Sequence, residues 1–134
     1  MTINNTLVCN TPSELVYRSE TLGLLPDDHT LIQIRRIGIC GTDLHAFGGT
    51  QPYFTYPRIL GHELAAEIVI SSQPDKFQPG ELVTIMPYLN CGACLACRSG
   101  KGNCCTKMQV FGVHRDGGMA NYLQLPTRLL IKGD

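Results

Sequence analysis

Gly38-Ile39-Cys40-Gly41-Thr42-Asp43-Leu44-His45, followed further on by Gly61-His62-Glu63, is the stretch on which the reading of this chain turns. It sets a thiol, an imidazole and a carboxylate at the ends of two apolar, β-like runs, with a hydroxyl (Thr42) and a second imidazole (His45) beside them. Cys and His both suit Zn²⁺, and a catalytic zinc usually takes three protein ligands and keeps one position open. His62-Glu63-Leu64-Ala65-Ala66 begins like the H-E-x-x-H of zinc proteases, but Ala66 stands where the second His belongs, and that chemistry is excluded.

Immediately upstream, Ile32, Ile34, Ile37 and Ile39 alternate with polar residues but lose phase near Arg36. The pattern predicts a strand over Thr30–Ile39 with a β-bulge that bends it and aims Cys40. Gly41–Phe47 reads as one helical turn ended by Gly48-Gly49, in which Asp43 serves either as a cap or as a partner of the site. Gln51–Arg58 carries Tyr53, Phe54 and Tyr56 between Pro52 and Pro57, a loop whose rings either wall a substrate pocket or form a satellite core.

Outward from there, Leu64–Ile70 and Leu82–Met86 read as strands joined by a Pro/Gly turn. Thr6–Cys9 and Glu14–Ser19 read as a hairpin, and Leu22–His29 as a loop. Cys9 is expected to be a buried apolar filler. These strands with Gly/Pro turns and little helix predict a mainly β, barrel-like domain.

A second group of donors follows at Cys91-x-x-Cys94-x-x-Cys97, with Cys105 after seven intervening residues. Four thiolates at such spacing can enclose one zinc tetrahedrally and leave no open position, so the expected role is structural. A pair of disulfides is the alternative on spacing alone. An iron–sulfur cluster fits less well, because the ferredoxin run places its next Cys after three residues and before Pro.

The 134 residues suffice for one domain with its own core, and Lys plus Arg (11) balance Asp plus Glu (11). The scattered charges give nothing to recruit nucleic acid or an anionic membrane. The N-terminus lacks the features of a signal peptide, and no apolar run approaches the roughly 20 residues of a membrane helix. A cytoplasmic location is expected, where seven cysteines with C-x-x-C spacing suggest metal rather than disulfides.

Gly38–His45, Gly61-His62-Glu63 and Cys91–Cys105 together resemble the zinc-dependent medium-chain alcohol and polyol dehydrogenases. The stretch from Gly49-Thr50-Gln51-Pro52 to Gly112-Val113-His114-Arg115-Asp116-Gly117-Gly118 is most similar to the branch with L-galactonate 5-dehydrogenase-like, sorbitol and threonine dehydrogenase-like members. The resemblance implies a GroES-like, partly open β-barrel over residues 1–134, with a zinc lobe at about 88–108. It implies that Cys40 and His62 bind a catalytic zinc, with Glu63 behind the metal or as a direct ligand. It also assigns Cys91, Cys94, Cys97 and Cys105 to a structural zinc and leaves Cys104 outside.

By the same resemblance Thr42 is the hydroxyl nearest the substrate oxygen, His45 lies further out on a proton relay, and Asp43 orients the His ligand. The implied activity is oxidation of a secondary hydroxyl of an alcohol, polyol or sugar acid by hydride transfer to NAD or NADP, in a full-length homo-oligomer, dimer or tetramer. No G-x-G-x-x-G fingerprint occurs in these residues. The dinucleotide-binding domain and a further zinc ligand are therefore expected outside them, and this piece alone is expected to be inert. A non-enzymatic zinc module used for assembly is the alternative. His114 sits in a glycine-rich loop, either near the cleft or in a plain turn, and His29 receives no role.

Overall fold

The computed structural model describes residues Met1–Gly133. Its N-terminal hairpin joins β1 (Ile3–Thr11) and β2 (Glu14–Thr21) through the turn at Pro12-Ser13, and β1 also pairs with the short β4 (Arg58–Ile59). The main sheet is antiparallel throughout. It runs in the order β10 (Leu130–Lys132), β6 (Leu82–Ile85), β5 (Glu63–Ile70), β3 (His29–Gly38) and β9 (Tyr122–Pro126).

Side chains alternating along these strands meet in one core of Ile32, Leu64, Ala66, Ile68, Phe77, Val83 and Ile85, closed below by Phe111, Leu125, Leu129 and Leu130. Period-2 strands that bury one face account for this arrangement. The segment Met119–Tyr122 ties the hairpin to the main sheet: Leu7 N–H donates to Met119 O at 2.8 Å, Tyr122 N–H to Asn4 Oδ1 at 2.9 Å, and Ile34 N–H to Asn121 O at 2.9 Å. The result is the expected mainly β, incompletely closed GroES-like barrel.

The slip of register falls where the apolar pattern places it. Ile34 faces Ala66 and Arg36 faces Ala65, so Arg35 is the extra residue of a bulge. It turns out of the ladder to pair with Glu67 at 2.7 Å. The segment after Gly38 is longer than the single turn expected: α1 (Gly41–Gly48) makes two turns and ends on Gly49, whose φ of 77° satisfies the left-handed cap. Cys9 is fully buried, as expected, packed with Ala46 and Leu60. Burial, and then Glu14, push its thiol pKa up.

Two of the three loop aromatics pack inward. Phe54 and Tyr56 stack edge to face, 4.9 Å between centroids, against the Cys9–Ala46–Leu60 cluster, and Tyr53 is fully exposed. Tyr56 also donates its hydroxyl to the Ala46 carbonyl, which anchors the loop to α1. Of the three rings, two serve the satellite core. Among the described residues no helix is long and apolar enough to cross a membrane.

Candidate metal centres

The end of β3, the N-terminus of α1 and the start of β5 converge at one edge of the sheet. There the donor atoms of Cys40, His62 and Glu63 all lie within 4.8 Å of one another. They line an open cleft of about 690 Å³ together with Thr42, Arg36, Thr84 and Tyr88. The side chains come together because Gly38 pairs with Glu63 across β3 and β5, and a Cβ at Gly38 would collide with the Glu63 carboxylate. Gly61, with φ of 92°, supplies the left-handed turn that delivers His62 to the strand end.

Asp43 is the joint of the site. Its carboxylate, 3 % exposed, accepts the Cys40 N–H through Oδ2 at 2.9 Å and the Gly61 N–H through Oδ1 at 3.0 Å. One side chain thus caps α1 and fixes the backbone of both the Cys and the His segments. The same Oδ1 lies 3.8 Å from His62 Nδ1, a buried nitrogen with no hydrogen-bond partner among the described residues. Of the two uses weighed for Asp43, the structure shows the cap, and it places the carboxylate near His62 without a hydrogen bond between them.

Thr42 Oγ1 sits 3.9 Å from Cys40 Sγ, inside the cleft. His45 is not brought to the cleft wall; its Nδ1 pairs with Thr50 Oγ1 at 3.0 Å on the exposed side of α1. Tyr88, half exposed, is the aromatic that lines the cleft, in place of the Gln51–Arg58 rings. It carries no donor-type motif, and its position follows only from the pairing of β7 (Tyr88–Leu89) with β8 (Gln109–Val110).

The second centre is local. Cys91, Cys94, Cys97 and Cys105 offer four sulfurs within 4.8 Å of one another, and all seven cysteines are free thiols. The backbone is arranged to hold anionic sulfur. Cys94 N–H donates to Cys91 Sγ, and Cys91 N–H and Lys107 N–H donate to Cys105 Sγ, each at 3.3 Å. The N–H groups of Cys97 and then Thr106 pull the Cys94 thiol down to about 6, and those of Ala93 and Cys94 lower Cys91. At Cys105 the Cys91 amide pulls downward, but desolvation and the neighbouring sulfurs raise the thiol. Cys104 is exposed and stands outside the group.

Asn90 and Arg128, which carried no signal in the sequence, fasten this lobe to the barrel. Asn90 Nδ2 points at Cys97 Sγ (3.5 Å), while Arg128 donates to Asn90 Oδ1 (3.2 Å) and O (3.3 Å). His114 belongs to a turn, with Nδ1 accepting the Val110 N–H at 3.0 Å.

Both donor sets fit zinc. A tetrahedron of Zn–S bonds of about 2.3 Å has sulfur–sulfur edges of roughly 3.8 Å, within reach of the lobe's spacing, and it would balance thiolates that the surrounding amides already favour. Sulfur, imidazole and carboxylate at the cleft form an open three-donor set.

Residues 26–134 match the alcohol dehydrogenase GroES-like domain, and the chain belongs to that family. It is 44% identical over 135 residues to the L-galactonate-5-dehydrogenase of Escherichia coli (strain K12), an alignment that takes in 100% of this chain and 40% of that protein. It is 41% identical over 123 residues to a zinc-type alcohol dehydrogenase-like protein of Haemophilus influenzae, covering 90% of this chain and 36% of the other. An alcohol dehydrogenase of E. coli CFT073, solved in complex with the cofactor NADH, superposes with a TM-score of 0.87 at 30% identity, over 98% of this chain and 39% of that one. The chain therefore spans about two fifths of the length of the relatives it matches.

Proposed function

We propose that this chain is the catalytic-domain portion of a zinc- and NAD(P)-dependent dehydrogenase that oxidises a secondary hydroxyl of a polyol or sugar acid. The observation that carries the proposal is the convergence of Cys40, His62 and Glu63 within 4.8 Å at a cleft that also holds Thr42. The relatives support it through their names, an L-galactonate-5-dehydrogenase among them, and through an NADH complex.

In this reading Cys40, His62 and Glu63 hold the cleft zinc, and Cys91, Cys94, Cys97 and Cys105 hold a structural zinc. Bound zinc supplies Lewis acidity toward the substrate hydroxyl, and a bound nicotinamide supplies the hydride acceptor. Thr42 receives the hydroxyl proton through Oγ1 and passes its own outward. His45, three residues further along α1 but turned to its exposed side and paired with Thr50, is the outer, solvent-side member of the relay rather than a group in contact with Thr42. Asp43 holds the backbones of Cys40 and Gly61, and through Gly61 the segment that carries His62, in register. Tyr88 lines the cleft beside the substrate.

The test is turnover by the protein encoded by the complete gene, loaded with zinc and given NAD or NADP. L-galactonate and a panel of hexitols and aldonates should yield reduced nicotinamide, and Thr42→Val should lower kcat far more than it changes KM. Absence of turnover on every polyol and sugar acid would sink the proposal.

A further inference from the structure

We infer that Asp116, with the Gly117-Gly118 pair behind it, is a positioning residue for His62, setting the metal-binding geometry of the cleft from outside it. The inference rests on the reading of Cys40, His62 and Glu63 as a metal site.

The three residues that precede His62 are gripped on one side by the Asp116–Met119 loop. Asp116 Oδ1 accepts the Ile59 N–H at 3.0 Å; Gly117 N–H donates to Ile59 O at 2.7 Å, Met119 N–H to Leu60 O at 2.9 Å, and Gly118 N–H to Gly61 O at 2.8 Å. On the other side Gly61 N–H is taken by Asp43. The segment has few remaining polar groups with which to shift, so the direction in which it delivers His62 is fixed between two carboxylates.

The close approach depends on missing side chains. A Cβ at Gly117 would strike the carbonyls of Gly61 and Leu60, and one at Gly118 would strike the Leu64 side chain. Asp116 itself is 58 % exposed and makes its second contact with Arg58 Nη1 at 3.4 Å. It is therefore the member of the clamp that can be altered without entering the core. Neither Asp116 nor Arg58 lines the cleft, so any effect on the cleft must travel through Ile59–Gly61.

The experiment titrates Co²⁺ into the metal-free protein encoded by the complete gene, so that any ligand from outside these residues is present, and follows absorption, with the four-thiolate lobe as an internal reference. The wild type should take one tightly held Co²⁺ with intense thiolate charge-transfer bands and a second, weaker one at the Cys40–His62 cleft. Asp116→Ala should weaken the second ion by about 10-fold, the lower end of the range for residues that orient metal ligands. The lobe's spectrum should stay unchanged. Asp116→Asn keeps a carbonyl oxygen for the Ile59 N–H and should restore affinity to within about 3-fold of wild type.

An unchanged second site in Asp116→Ala overturns the inference. So does a parallel loss of lobe binding or of the folded baseline, since that would mean a general structural role. If the wild type takes only one Co²⁺, the metal reading of the cleft fails, and the inference with it.

Discussion

The two candidate centres are assembled from similar donors by opposite means. In the lobe, all four sulfurs come from Cys91–Cys105, the helix α2 (Leu95–Arg98) that carries Cys97 contains no buried residue, and backbone amides of the same loop point at the sulfurs of Cys91 and Cys105. In the cleft, Cys40 follows β3 and His62 precedes β5, and they meet because the barrel core beneath holds those two strands together. The lobe should therefore depend on its metal for stability, whereas the cleft should be held by the core with or without one. Ligand-bound local structure of the first kind is coupled to metal affinity, and packed structure of the second kind to burial.

The largest expected effect follows from that difference. Cys94→Ser removes one of the lobe's four sulfurs and, on the proposed reading, should abolish the tightly held zinc. Metal binding in small zinc domains contributes roughly 10–16 kcal/mol, so the lobe segment should lose its protection against proteolysis while the barrel stays folded. Cobalt bound at the cleft should be unaffected. Equal zinc content and an unchanged melting curve in Cys94→Ser would break the comparison.

Asp43→Ala attacks the cleft from within. It leaves the buried N–H groups of Cys40 and Gly61 without acceptors, each at a cost of about 1–3 kcal/mol, and removes the cap of α1. Urea denaturation should show a loss of a few kcal/mol along with loss of the second metal, while the lobe keeps its zinc. His62→Ala sharpens the same point. It should remove the second metal yet change stability by less than about 1 kcal/mol, because His62 Nδ1 has no hydrogen bond to lose. A large destabilisation by His62→Ala would mean that the cleft, like the lobe, is held by its ligands.

How far each centre could be read in the sequence follows from the same contrast. The lobe was legible because its geometry is local: the C-x-x-C-x-x-C spacing pointed to a shared ion, and the resemblance chose Cys105 over Cys104 as the fourth member. At the cleft, the phase slip near Arg36 foretold the bulge, and the resemblance pointed to Cys40, His62 and Glu63. Contacts made across the barrel had no such signature. Asn90 and Arg128 lie 38 residues apart and meet only because the turn at Thr127–Leu129 returns under the lobe. The rings of Phe54 and Tyr56 could have faced either way, and the Cys9–Ala46–Leu60 cluster, drawn from three separate segments, decided it. The second turn of α1 was missed because a short run before Gly48-Gly49 carries no periodicity long enough to measure.

The smallest effect tests whether the lobe is ordered at all before metal arrives. The amides of Cys97 and Thr106 hold Cys94 near a pKa of about 6, well below an ordinary thiol, but only while the loop keeps its fold. In the chelated chain, iodoacetamide should label Cys94 with a rate that is close to its plateau at pH 7 and falls on acidification through a midpoint near 6, because the thiolate is the reactive form. Cys9, buried and with its thiol pushed up, should stay unlabelled until the barrel unfolds. A midpoint for Cys94 near 8.5, the value of a free cysteine, would show that the amide cage forms only around the ion. The lobe would then be an element that folds on binding, and the contrast with the pre-formed cleft would be greater than the packing alone implies.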